Sequence, residues 1–340
     1  MTSLLNDVHF ILKKILIIIN IGANMVFNNL KQKILNKSDS YNYLKKKVDA
    51  HEKTINSYNK LFNALYLNFD LQPTPFLANV RELGYQILIF TDKVCEKHGL
   101  EWWADGGTLL GAYRHGNYIP WDDDLDIAMM RNDYNQFIDV IDEEIENNNL
   151  YNVKASFKKE RYYRWIQIHY KLPQFKPTLV GLDIFPFDYL NEAQEINPSY
   201  ESYYQKTREK FYSHQDNMKD YDYNKVMEEC YDSLNMNLER QDYYISGVEG
   251  TRGPVNLYDL RLMETNKLLP LRRMQFGPID VPVPNDSVDY LIAQYGKSFR
   301  KIPRNIRDHG RIYRLQEIEN MMEYLDEAVE IFKNANENFK

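Results

Sequence analysis

Residues 119–129, IPWDDDLDIAM, crowd four aspartates into five positions and run straight into an apolar stretch. Successive side chains of a β-strand point to opposite faces. Asp124, Asp126 and Ala128 therefore share one face, and Leu125, Ile127 and Met129 the other. The apolar face needs a core to pack on, and that need fixes the acids on a rigid strand, expected over about 124–130, at the edge of a sheet. Two carboxylates two residues apart on a strand stand about 6–7 Å from each other, within reach of one divalent cation. Without a cation, the like charges would raise at least one pKa and cost stability. Hard oxygen ligands favour Mg2+ or Mn2+. A bare run of aspartates is more often a solvated loop; the alternation with Leu, Ile and Met argues for the metal reading.

The stretch DGGTLLGAYRHG (105–116) supplies a second component. Paired glycines after a strand permit a tight turn and close backbone approach, so Gly106 and Gly107 open a helix that Thr108 is placed to cap. A helix N-terminus offers unpaired N–H groups and a positive dipole end, both suited to phosphate. Alone, such a turn is a weak signal; with Asp-x-Asp close behind, it predicts a phosphoryl-transfer site. A third carboxylate is expected on a neighbouring strand. Asp183 lies in TLVGLDIFPFDYL (178–190), a run too apolar to hold an acid without reason. It is either a third metal ligand or base, or an acid satisfied by an arginine. Asp188 is the alternate, read as a loop residue after Pro186.

Composition bounds the rest. The 340 residues are 44% hydrophobic and 14% aromatic, ample for a core. A net charge of −7 leaves no overall footprint for nucleic acid. Residues 1–60 nevertheless hold ten Lys against four acidic residues, a basic stretch expected to meet an anionic surface such as phospholipid. Two distant cysteines, Cys95 and Cys230, exclude a disulfide framework and a Cys-rich zinc site and fit a cytosolic location. ILIIINIGANMVF (15–27) is too short to span a bilayer, which takes about 20 residues. It stands open as an interfacial helix, a helix packed on the body, or a poorly cleaved signal.

Periodicity predicts a helix or two over 30–70, ending before Pro73 and Pro75, and a helix over 76–98 stopped by Gly99. Strands are expected at 100–104, 161–172 and 178–190, helices at 133–147 and 285–296, and an extended segment at 279–284. The fold class is α+β: a small mixed sheet flanked by helices, with a basic helical extension over 1–73, a body over 74–335 and a helical insertion over 191–260.

GGTLLGAYRHGNYIPWDDDLDIAM resembles the first signature of the LicD family, which includes fukutin and fukutin-related protein. LDIFPFD resembles its second signature, and VPVPNDSVDYLIAQYG with the basic run to His309 its third. The resemblance covers roughly residues 76–315. It implies a nucleotidyltransferase-like fold and transfer of a phosphorylated alcohol, such as phosphocholine, ribitol phosphate or glycerol phosphate. The implied donor is CDP-linked, the acceptor a glycan or glycolipid hydroxyl, and the product CMP. On that reading Asp124, Asp126 and Asp183 hold Mg2+ (or Mn2+), and Gly106, Gly107 and Thr108 position phosphate oxygens. Asp122 and Asp123 support the metal or the loop. Arg114 and His115, and Arg304, Arg307 and His309 farther on, are candidates for the donor's phosphates or a solvated basic surface. Trp121 is set to stack on a base or sugar, or to pack in the core. A cytoplasmic enzyme, peripheral at the membrane, is expected, or a Golgi-lumen one in a eukaryotic cell. The alternatives are a nucleotidyltransferase releasing pyrophosphate and a noncatalytic membrane-associated scaffold.

Overall fold

A computed structural model describes residues 39–68, 72–160, 163–171, 180–191, 234–250, 262–302 and 311–340, with isolated positions besides. The apolar run at 15–27, the basic residues Arg304, Arg307 and His309, and most of the 191–260 insertion lie outside the described residues. The chain divides into two units, Met1–Asp70 and Leu71–Lys340. Of the first, helix α1 (Asp39–Asn68) is described. Among the described residues no helix is long and apolar enough to cross a membrane.

The second unit opens with α2 (Pro75–His98). Pro75 needs no hydrogen-bond partner at the first helical position, Thr74 Oγ1 accepts the Leu77 N–H at 3.3 Å, and Gly99 ends the helix at φ 68°. Val80, Leu83, Ile87, Phe90 and Val94 are fully buried, and this stripe packs on α8 (Met321–Glu337). Beside it stands a mixed sheet of eight strands among the described residues. Its principal path runs β1 (Trp103–Ala104), β2 (Leu125–Met130), β5 (Val180–Leu190), β4 (Tyr163–Tyr170), β3 (Val153–Glu160). β2 and β5 are parallel; the other neighbours on this path are antiparallel. A parallel pair needs a crossover, and here α4 (Arg131–Asn147) and the β3–β4 hairpin lie between its two strands in sequence. β5 holds β2 and β4 along its first half, then β6 (Met236–Asn237) and β7 (Tyr243–Ser246) along its second; β8 (Met263–Glu264) adds to β7. Such two-sided burial explains the near-continuous apolar sequence of β5.

A separate hairpin joins β9 (Arg272–Phe276) to β10 (Ile279–Val283) through Gly277, whose N–H donates to Gly116 O at 2.7 Å. The helix after it, α6 (Ser287–Tyr295), is capped by Asp286, whose carboxylate accepts the Asp289 N–H at 3.0 Å. The short α5 (Thr265–Leu268) and α7 (Arg311–Gln316) complete the described helices.

Several expectations change. The strand at 100–104 shrinks to two residues, and β3 and β9 stand where no strand was expected, although Val153, Ala155 and Phe157 of β3 alternate with Lys154, Ser156 and Lys158. The described end of the insertion holds β6, β7 and a 3-10 turn, after helical positions at Glu228, Glu229, Asp232 and Leu234. Asp188 is not in a loop: β5 continues through Leu190, because β7 pairs with Phe187–Leu190 and Gly247 N–H engages the carbonyl of Pro186. A proline normally demotes a strand, and only this tertiary pairing overrides it.

Candidate active site

Asp126 and Asp183 are paired in register on the parallel strands β2 and β5. Neighbouring strands lie about 4.8 Å apart, so the two acids stand side by side on one face. Leu125, Ile127, Leu182 and Ile184, on the opposite face, are fully buried. Asp124 precedes the strand, which starts at Leu125 rather than at 124.

Helix α3 (Gly106–His115) is seated on Asp126 by three contacts. Thr108 Oγ1 accepts the Asp126 N–H at 2.8 Å, Asp105 N–H donates to Asp126 O at 3.1 Å, and Gly107 N–H reaches Asp126 Oδ2 at 3.4 Å. The two glycines are required by this closeness. Gly106 sits at φ 53°, and a Cβ there would strike the Asp126 carboxylate; one at Gly107 would lie 2.5 Å from Asp122 Oδ2. Thr108 is therefore not the cap: the helix begins two residues earlier, after Asp105, and Thr108 is buried with its hydroxyl oxygen spent on Asp126. Asp105 itself, not singled out from the sequence, is 1% exposed and accepts from Tyr290 Oη at 2.9 Å, which in turn accepts from Trp103 Nε1 at 3.1 Å.

The acids are held against their own repulsion. One oxygen each from Asp122, Asp123 and Asp124 lies within 4.8 Å of the others, making this trio, rather than 124/126/183, the tightest carboxylate group among the described residues. Burial, then the charges of Asp124, Asp183, Asp105 and Asp122, push the Asp126 carboxyl well above the usual range. Burial and Asp124 do the same to Asp122. Asp183 is raised to about 6, chiefly by burial, although hydrogen bonds from Trp165 and Gln167 (Nε2 at 2.5 Å) pull the other way. Arg311 answers part of this charge, its Nε 3.6 Å from Asp123 and Nη2 3.5 Å from Asp124. The sequence reading missed Arg311, though it ends the same basic run that contains Arg304, Arg307 and His309.

Other candidates go elsewhere. The arginine-paired acid is Asp188: fully buried Arg131 donates Nε and Nη2 to its two oxygens at 2.8 and 3.0 Å, and to Glu249 at 2.5 and 2.8 Å. Five residues along β5 from Asp183, it faces the opposite side of the sheet. Arg114 and His115 end α3, about 13 Å from the glycine turn by helix rise. Arg114 Nη1 donates to Phe299 O at 2.9 Å. Burial, then Arg114 and Arg81, lower His115 to about 4, so it is neutral at pH 7. Trp121 is half-buried in the turn before the aspartates. That turn is strapped by Arg81, another residue the sequence did not reveal, which donates to the carbonyls of Ile119, Pro120 and Asp122 at 2.8–3.1 Å.

Residues 99–232 match the family model described as LicD/FKTN/FKRP, nucleotidyltransferase domain. The chain is similar to the lipopolysaccharide cholinephosphotransferase LicD of Haemophilus influenzae, 46% identical over 54 residues, or 16% of this chain and 20% of that protein. It is similar to the human ribitol 5-phosphate transferase FKRP, 50% identical over 40 residues, or 12% of this chain and 8% of that protein. An uncharacterised Rickettsia typhi protein is 42% identical over 57 residues, or 17% of this chain and 18% of that protein. The chain thus spans a fifth or less of the length of these curated relatives.

Proposed function

We propose that this chain, whose residues 99–232 match the LicD/FKTN/FKRP nucleotidyltransferase domain, is a metal-dependent phosphotransferase moving a phosphorylated alcohol from a CDP-linked donor to a glycan hydroxyl, with CMP released. The observation that carries this reading is the in-register pairing of Asp126 with Asp183 beside the Asp122–Asp124 group, under a glycine turn that opens a helix. The names of the relatives, a cholinephosphotransferase and a ribitol 5-phosphate transferase, support the class of transferred group.

The donor set fits a hard divalent cation. It consists of carboxylates alone, and burial and mutual repulsion raise the pKa of Asp122, Asp126 and Asp183. Asp124, Asp126 and Asp183 would hold Mg2+, with Asp122 and Asp123 as support. When bound, the cation would neutralise diphosphate charge and act as a Lewis acid on phosphoryl oxygens. The chain's own residues do the rest. The N-terminus of α3, at Gly106 and Gly107, presents its positive end to the donor phosphates. Arg311, already facing Asp123 and Asp124, is placed to pair with a phosphate oxygen. Asp183, in register beside Asp126, is placed to orient an attacking hydroxyl as well as to hold the cation.

Incubating the purified protein with Mg2+, a panel of CDP-alcohols and glycan acceptors, and measuring CMP, tests the reading. CMP release that depends on acceptor and disappears in Asp126→Asn supports it; pyrophosphate release from CTP instead would replace it with nucleotidyl transfer. The basic residues 1–60 are assigned to an anionic membrane surface, and loss of vesicle binding on deleting residues 1–30 checks that assignment.

A further inference from the structure

Along α1, Leu44, Val48, Ile55, Tyr58, Phe62 and Leu65 follow one another in steps of four and three, with His51 filling the remaining position. This is a period of 3.5 residues, the seam of a coiled coil rather than the wider stripe of a helix packed on a globular core. It runs for three heptads in a helix about 45 Å long. Leu44, Val48, Ile55, Tyr58 and Phe62 are each 51–61% exposed, so nothing described within the first unit covers them. The side opposite the seam carries Lys46, Lys53 and Lys60, one per heptad.

We propose that α1 pairs with α1 of a second copy of this chain as a parallel, in-register, two-stranded coiled coil. Three features select that partner. The first seam position holds β-branched Val48 and Ile55 and then Phe62, and the second holds Leu44 and Leu65 at its ends with His51 and Tyr58 between; β-branched residues at the first and Leu at the second favour two parallel strands. Lys47 and Glu52 flank the seam with the spacing that brings each lysine opposite the glutamate of the other copy; an antiparallel pair loses both matches. His51 is the polar residue of the seam, and facing its own counterpart satisfies it in one register alone.

Sedimentation of the full chain tests this. The expected mass is twice the 40.6 kDa of one chain. Ile55→Glu should return the mass to that of one chain, and Ile55→Leu should not. Lys47→Glu should weaken the dimer, and Lys47→Glu with Glu52→Lys should restore it, an outcome misfolding cannot imitate. Under mild oxidation Ile55→Cys should give a reducible covalent dimer, whereas Asn56→Cys, off the seam, should not. A monomeric wild-type chain, or a dimer indifferent to Ile55→Glu, overturns the proposal. So does a monomer whose binding to phosphatidylserine vesicles is abolished by Ile55→Glu, since the seam would then face lipid.

Discussion

Asp183 is the residue at which activity and stability should part most clearly. Its carboxyl is raised from 3.8 to about 6, and each tenfold change in proton affinity is worth about 1.4 kcal/mol. The metal-free folded protein therefore carries a cost of about 3 kcal/mol at neutral pH. The folded state binds this proton more tightly than the unfolded one. The contribution of Asp183 to stability is thus full below pH 3.8 and is lost as the pH rises to about 6. Asp183→Asn removes the charge and keeps an oxygen that can accept from Gln167. In EDTA at pH 7.5, the variant should be more stable than wild type by about 1–3 kcal/mol, the lower figure allowing for an imperfect hydrogen bond. The gain should fade towards pH 4. Urea unfolding followed by circular dichroism measures it as a higher midpoint with an unchanged slope. In parallel, transfer in Mg2+ should fall by about 10³-fold, and the stabilisation that Mg2+ gives to wild type should vanish. If Asp183→Asn instead destabilises the metal-free protein at pH 7.5, or leaves transfer intact, repulsion among these half-buried acids does not mark the reaction centre.

Replacing Arg131 with Met strands Asp188 and Glu249 in the core and should cost about 3–5 kcal/mol, read as a lower urea midpoint. Gly106→Ala forces a Cβ into the left-handed region and against Asp126; a loss of about 1–2 kcal/mol in stability should accompany a much larger loss of transfer rate, measured as CMP formation. Arg311→Gln should raise the donor KM by about tenfold, roughly the loss of one charge-assisted hydrogen bond, with secondary structure unchanged by circular dichroism.

Local pattern carried much of this protein. The alternation of acids with Leu, Ile and Met around 124–130 predicted β2 and the two faces of its side chains; Gly99 marked the end of α2, and the helix expected over 285–296 is α6. These signals are legible because capping, φ restriction and period depend on neighbours a few residues away. Pairing across the sheet does not. That Asp126 lies beside Asp183 is a matter of strand register, set when β5 inserts between β2 and β4. The partner of Arg131, likewise, is Asp188 and not Asp183, because β5 persists beyond Pro186 under the pairing of β7. Asp105, Arg81 and Arg311 carried no local mark, since their importance comes from burial and from groups distant in sequence. The sequence alone determined that four aspartates run into an apolar strand behind a glycine turn; the tertiary structure decided which acids stand together and which are neutralised, because Coulomb energy follows distance and burial rather than order along the chain.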